Sequence, residues 1–232
     1  MPTYLISSDN RVSFAGKTGS GKTFLARELT KSFSRLIAID PKAQMGSEWR
    51  LQPLTQKGLK ELKKGNPGRI HIYEPPEIDS DGFPVWDEIF NFVWEIGDLP
   101  VYIDEMYSVA KNGRLSYPLR RLYTQGRTRG NGVWASTQRP SFVPLEMFSE
   151  AEWSFTFMLR MEEDRKRIAR AIGSDLIEEP IRDPHGFYAY YQTWDDPIYM
   201  PIFQGKPTLK EMAEKLDDSI PVEVGRQYGN ER

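Results

Sequence analysis

Gly16 to Thr23 reads GKTGSGKT, which fits the pattern G-x-x-x-x-G-K-[ST]. The run before it, RVSFAG (Arg11 to Gly16), reads as a strand, and KTFLARELTKSF after it puts Leu25, Leu29 and Phe33 on one helical face. Strand, glycine-rich loop and helix in that order predict a phosphate-binding loop at the edge of a sheet. Gly16, Gly19 and Gly21 open backbone conformations that let N–H groups point at phosphate oxygens, with Lys17, Thr18 and Ser20 completing the loop. Lys22 is placed to reach the β- and γ-phosphates and the Thr23 hydroxyl to bind Mg2+, while the helix N-terminus adds partial positive charge.

Outward from the loop, short apolar runs alternate with segments of helical period, the pattern of an α/β fold with a mostly parallel sheet flanked by helices. RLIAID (Arg35 to Asp40), RIHIYE (Arg69 to Glu74), PVYID (Pro100 to Asp104), GVWAS (Gly132 to Ser136) and WSFTFML (Trp153 to Leu159) read as further strands. Helices are expected over about Thr55 to Lys64, from Pro84 to just before Gly97, over Ser116 to Gln125, and over MEEDRKRIARAI before Gly173. Residues 1–175 are read as the core. Residues 176–232 are read as a small C-terminal appendix, with a strand near Gly186 to Tyr191, a helix near Thr208 to Leu216 and a frayed end.

Downstream, LPVYIDEMY ends an apolar strand in Asp104 and Glu105. A parallel sheet sends strand C-termini to the same edge as the phosphate loop, so Asp104 is expected to orient Mg2+ and Glu105 to polarise an attacking water. GRTRGNGVWASTQRP (Gly126 to Pro140) carries a second strand to that edge and ends it in Thr137 and Gln138. An uncharged amide there can donate to a phosphate oxygen and accept from water without disturbing the charge balance, so Gln138 reads as a γ-phosphate sensor. Asp40 ends another strand, and the capping of the following turn is favoured over a contact with the metal shell.

With 232 residues, 39% hydrophobic, the chain is long enough for one substantial core. It has no cysteine, and its two histidines, His71 and His185, lie far apart, which disfavours disulfides and a protein-built zinc site. The start MPTYLISSDN lacks the layout of a signal peptide, and a soluble chain is expected. The net charge is −2, but Met106 to Leu145 contains no acid and carries Lys111, Arg114, Arg120, Arg121, Arg127, Arg129 and Arg139, so that segment is +7 and the remainder −9. This asymmetry allows one positive face on an acidic body. Arg127 and Arg129 suit a finger reaching a neighbouring subunit's nucleotide, a nucleic-acid contact, or a solvated face.

The succession GKTGSGKT, VYIDE and GRTRGNGVWASTQRP resembles the FtsK/HerA superfamily of DNA-pumping ATPases, and VPLEMFSEAEWSFTFMLRMEEDRKRIARAIG is similar to the segment after the glutamine in that group. The resemblance runs from about Val12 to Gly173. It implies a P-loop NTPase fold of the RecA/ASCE type. It also implies ATP and Mg2+ as ligands, with Lys22 and Thr23 on phosphate and metal, Asp104 on the metal, Glu105 on the water, Gln138 on the γ-phosphate and Arg127 in the trans site. The second arginine of the turn, Arg129, departs from a common form of the motif and leaves the identity of the finger open.

The short chain looks most like the genome-packaging ATPases of membrane-containing icosahedral viruses and phages. That resemblance implies a homo-hexameric ring threaded by double-stranded DNA, a capsid or membrane-vertex partner, and a place in the host cytoplasm or on the virion. Lys111 and Arg114 are the pore candidates, with a solvated loop as the plain alternative. A P-loop kinase, a nucleotide-binding regulatory switch and a non-packaging DNA translocase remain the rival functions.

Overall fold

The computed structural model describes residues 4–54, 67–72, 77–193, 195–200 and 222–224. Strands β1 (Tyr4–Ile6) and β2 (Arg11–Ala15) lead to helix α1 (Lys22–Thr30), followed by β3 (Leu36–Ile39), β4 (Gln52–Pro53), β5 (Arg69–Ile72), β6 (Glu77–Ile78) and β7 (Pro84–Val85). Then come α2 (Asp87–Ile96), β8 (Val101–Ile103), α3 (Tyr117–Gln125), β9 (Val133–Thr137) and α4 (Glu146–Ser149). The chain continues through β10 (Trp153–Phe157), α5 (Glu162–Ile172), β11 (Phe187–Tyr191), β12 (Ile198–Met200) and β13 (Val222–Val224).

Nine strands form one sheet in the order β12-β11-β10-β2-β9-β8-β3-β5-β4, parallel from β10 to β4. The fold is thus the expected α/β type with a mostly parallel sheet. Strands β11 and β12 add to one side in antiparallel fashion, so residues 187–191 and 198–200 of the expected appendix extend the main sheet.

The interior strands β3, β8 and β9 are buried at every position, as strands covered on both faces must be. Their side chains alternate between two layers. Ile37, Ile39, Val101, Ile103, Val133 and Ala135 meet α2, α3 and α5 on one face. Leu36, Ala38, Tyr102 and Trp134 meet α1 through Leu25, Ala26 and Leu29 on the other. That second layer is aromatic: Phe14 stacks on Phe155 at 5.3 Å, Phe33 meets Trp134 edge-on at 5.2 Å, and Trp49 stacks on Tyr102 at 5.1 Å.

Pro84 does not open a helix. It pairs with Ile78 in a small hairpin whose turn is held by Asp79 Oδ1, which accepts from the backbone N–H of Asp81 and Phe83, and α2 starts only at Asp87. The helices expected near Thr55 to Lys64 and Thr208 to Leu216, and Tyr73 and Glu74 of the RIHIYE strand, lie outside the described residues.

Phe14 is fully buried directly before the glycine-rich loop. Phe14→Ala is expected to lower the free energy of unfolding by about 3–5 kcal/mol and Phe14→Leu by about 1 kcal/mol, read from chemical denaturation of each variant.

Candidate nucleotide site

Strands β2, β9 and β8 are consecutive in the sheet, so the glycine-rich loop, Gln138 and the Asp104–Glu105 pair leave one edge side by side. The loop hangs from its neighbours: Gly16 N–H donates to Thr137 O at 3.1 Å and Lys17 N–H to Met158 O at 2.9 Å. A Cβ at Gly16 would stand 2.6 Å from Phe157 Cβ, which restricts the position to glycine. Gly21 has φ 103° and turns the chain into α1. No side chain caps that helix among the described residues, so the amides of its first turn are available to an anion.

The Thr18 hydroxyl donates to Gln138 Oε1 at 2.7 Å, which seats the amide against the loop. Lys22 is buried, and its ammonium donates to the carbonyls of Gly16 at 2.6 Å and Lys17 at 3.0 Å. Burial pulls its pKa down to about 8, opposed by the charges of Glu105 and Asp104. The Thr23 hydroxyl donates to Asp104 Oδ1 at 3.1 Å. Burial raises the Asp104 carboxyl above the ordinary aspartate range, with the charges of Asp40 and Glu105 adding to the effect and hydrogen bonds from Tyr102 and Thr23 opposing it.

A hydroxyl beside a carboxylate under like-charge pressure fits Mg2+, which takes oxygen ligands and relieves that pressure. Among the described residues no three His, Cys, Asp or Glu side chains form a ready-made metal site, so phosphate oxygens and water would complete the coordination.

Three contacts escaped the motif reading. Lys42 Nζ lies 3.4 Å from Glu105 Oε2, while Glu105 Oε1 is buried with no partner among the described residues. Asp164 reads from sequence as one more acid in the first turn of a helix. It is in fact buried and accepts from Arg139 Nε at 2.9 Å and Ser141 N–H at 2.8 Å, which pins the loop after Gln138 to α5. A cavity of about 370 Å³ opens there beside Lys17, Thr18, Gln138 and Arg160. The expected capping by Asp40 is present: its Oδ2 accepts from Met45 N–H at 2.7 Å and lies 3.0 Å from His71 Nε2.

Two candidate residues have partners that the sequence did not reveal. The exposed Arg129 guanidinium donates to the carbonyls of Trp94 at 2.7 Å and Glu95 at 3.1 Å and so caps the C-terminal end of α2. Lys111 is not a free cation, because it pairs with Asp79 at 2.5 Å and Asp81 at 2.8 Å, 32 and 30 residues earlier in the chain. Arg114 is exposed. The Arg127 side chain is 62% exposed and lies 3.9 Å from Glu152, a carboxylate already held by Arg11 at 2.6 Å.

No protein-family model matches the chain. It is similar to the DNA packaging ATPase P9 of Enterobacteria phage PRD1, 28% identical over 197 residues that make up 80% of this chain and 82% of that protein. Its fold matches that of the genome packaging NTPase B204 of Sulfolobus turreted icosahedral virus 2, in a structure with ATP-gammaS, at TM-score 0.67 and 18% identity over 84% of this chain and 99% of that one. A structure of B204, the DNA-packaging ATPase of Sulfolobus turreted icosahedral virus, matches at TM-score 0.63 and 18% identity over 84% of this chain and 98% of that one. The resemblance read from the motifs is therefore met in sequence by a phage packaging ATPase and in fold by viral packaging NTPases.

With the Lys22 pKa near 8, affinity for a triphosphate is expected to be fully present below pH 8 and to fall as the pH rises through it. Binding at pH 9 should be about tenfold weaker than at pH 7 by calorimetric titration, with proton uptake detectable in buffers of different ionisation enthalpy. Arg129→Ala is expected to destabilise the fold by roughly 1 kcal/mol through the lost α2 cap, whereas Arg127→Ala leaves it unchanged, as measured by thermal unfolding.

Proposed function

We propose that this chain is an ATP-hydrolysing motor that moves double-stranded DNA, acting in the packaging of a viral genome. The observation that carries this reading is the meeting of Thr18 with Gln138 and of Thr23 with Asp104 at one sheet edge. A bound triphosphate at this edge meets an ammonium, a carboxylate pair and a neutral amide together. Similarity to P9, a packaging ATPase, and the fold shared with B204, solved with ATP-gammaS, support the same reading.

In this reading the loop amides and Lys22 hold the phosphates, and Thr23 and Asp104 hold Mg2+. The bound ion would neutralise the charge that develops on the phosphate oxygens. Glu105 orients and polarises the attacking water, and its buried Oε1, without a partner among the described residues, suits that task. Gln138 contacts the γ-phosphate and, through the Asp164-anchored loop behind it, relays its presence.

Arg127 precedes β9, at the edge of the sheet opposite its own phosphate loop, and the five residues of β9 put roughly 16 Å between the two edges. A contact with nucleotide therefore suits a neighbouring copy, which supports a homo-hexameric ring with Arg127 as the trans finger. Arg114 remains the pore candidate for DNA phosphates, and a capsid or membrane-vertex protein would dock the ring. No helix among the described residues is long and apolar enough to cross a membrane. We place the protein in the host cytoplasm or on the virion.

The test is ATP hydrolysis with and without duplex DNA. Stimulation by DNA is expected, and Glu105→Gln should bind ATP yet lose turnover by about 10²-fold or more. Arg127→Ala should lose hydrolysis and regain part of it when mixed with Lys22→Ala, since mixed rings contain sites with both intact halves. Hydrolysis indifferent to DNA, or an unimpaired Glu105→Gln variant, would refute the motor.

A further inference from the structure

Tyr102 is wholly buried in the centre of β8, yet it carries a hydroxyl that a phenylalanine at the same place would not. A buried phenol has to find partners. Here the Tyr102 hydroxyl lies 3.0 Å from Asp104 Oδ1 and 2.8 Å from Ser136 Oγ. Residues 102 and 104 share a face of the strand, so the ring runs beside β8 and delivers its oxygen to the carboxylate at the strand tip. Trp49 stacks on the ring at 5.1 Å and Phe14 meets it edge-on at 6.5 Å, which fixes the direction of the hydroxyl.

Proton bookkeeping gives the chain a direction. An ionised Asp104 only accepts, so Tyr102 donates to it, and Ser136 then donates to the Tyr102 oxygen. Thr23 donates to the same Oδ1 at 3.1 Å. The result runs Ser136 to Tyr102 to Asp104, with Thr23 entering from α1, and it joins the strand that ends at Gln138 to the strand that ends at Glu105. Oδ1 is occupied by both hydroxyls, while Oδ2 accepts from none of the described residues.

We propose that Tyr102 is a positioning residue for the metal: its hydroxyl, backed by Ser136, holds Asp104 through Oδ1, which also receives Thr23, and leaves Oδ2 to the ion. This rests on the assignment of Thr23 and Asp104 to Mg2+. Tyr102→Phe removes one oxygen and keeps the ring between Trp49 and Phe14. Partners in the outer shell of a metal site commonly set affinity by 10- to 100-fold.

The experiment measures binding of a non-hydrolysable ATP analogue to the full chain in EDTA and across a Mg2+ titration, for wild type, Tyr102→Phe and Ser136→Ala. In EDTA the three proteins should agree within about twofold, which also confirms that the variants fold. The Mg2+ concentration giving half-maximal enhancement should rise about tenfold in Tyr102→Phe and by a smaller factor in Ser136→Ala. An unchanged Mg2+ dependence in Tyr102→Phe beside a Mg2+-dependent wild type overturns the role of Tyr102 and leaves the metal assignment standing. Loss of EDTA binding in Tyr102→Phe overturns it too, by showing a role in packing the loop. A wild type indifferent to Mg2+ overturns the metal assignment and this proposal with it.

Discussion

Parallel strands deliver all their C-termini to one edge, and the candidate site hangs from the adjacency of three of them. Because β9 lies between β2 and β8, Gln138 leaves the sheet between the glycine-rich loop and the acidic pair. The loop is held by its neighbours' carbonyls, at Thr137 on one side and Met158 on the other. Its shape is therefore a property of the sheet as much as of its glycines.

Charge is concentrated at that edge under limited solvent. Asp40, Asp104 and Glu105 are set against Lys22 and Lys42, and the effects on Lys22 and Asp104 have the same origin: burial resists charge on either group, and nearby opposite charges or hydroxyl donors oppose it. Lys22 rests on loop carbonyls and Asp104 on two hydroxyls. Buried groups of both signs therefore sit side by side at this edge, each held by neutral partners of the fold.

The opposite edge is built by different rules. There Gly126–Arg129 packs on the end of α2, with Arg129 closing the helix carbonyls and Arg121 set over the Trp94 ring at 3.5 Å. Two arginines two positions apart consequently have unlike surroundings. One completes a helix, and the other stands in solvent beside an already occupied carboxylate.

Features written into short stretches were legible in the sequence. The GKTGSGKT loop, the strand ending in Asp104 and Glu105, the burial of Leu25, Leu29 and Phe33, and Gly97 and Gly173 closing their helices all depend on local spacing and backbone preference. Tertiary structure alone decided which charges meet. Lys111 reads as a free cation until folding sets it beside Asp79 and Asp81, Arg129 until it meets the carbonyls of Trp94 and Glu95, and Asp164 passes for a helix-start acid until it anchors the Gln138 loop. Periodicity reports which face a side chain takes, but its partner across dozens of residues is fixed only when strand order brings the two within about 3 Å.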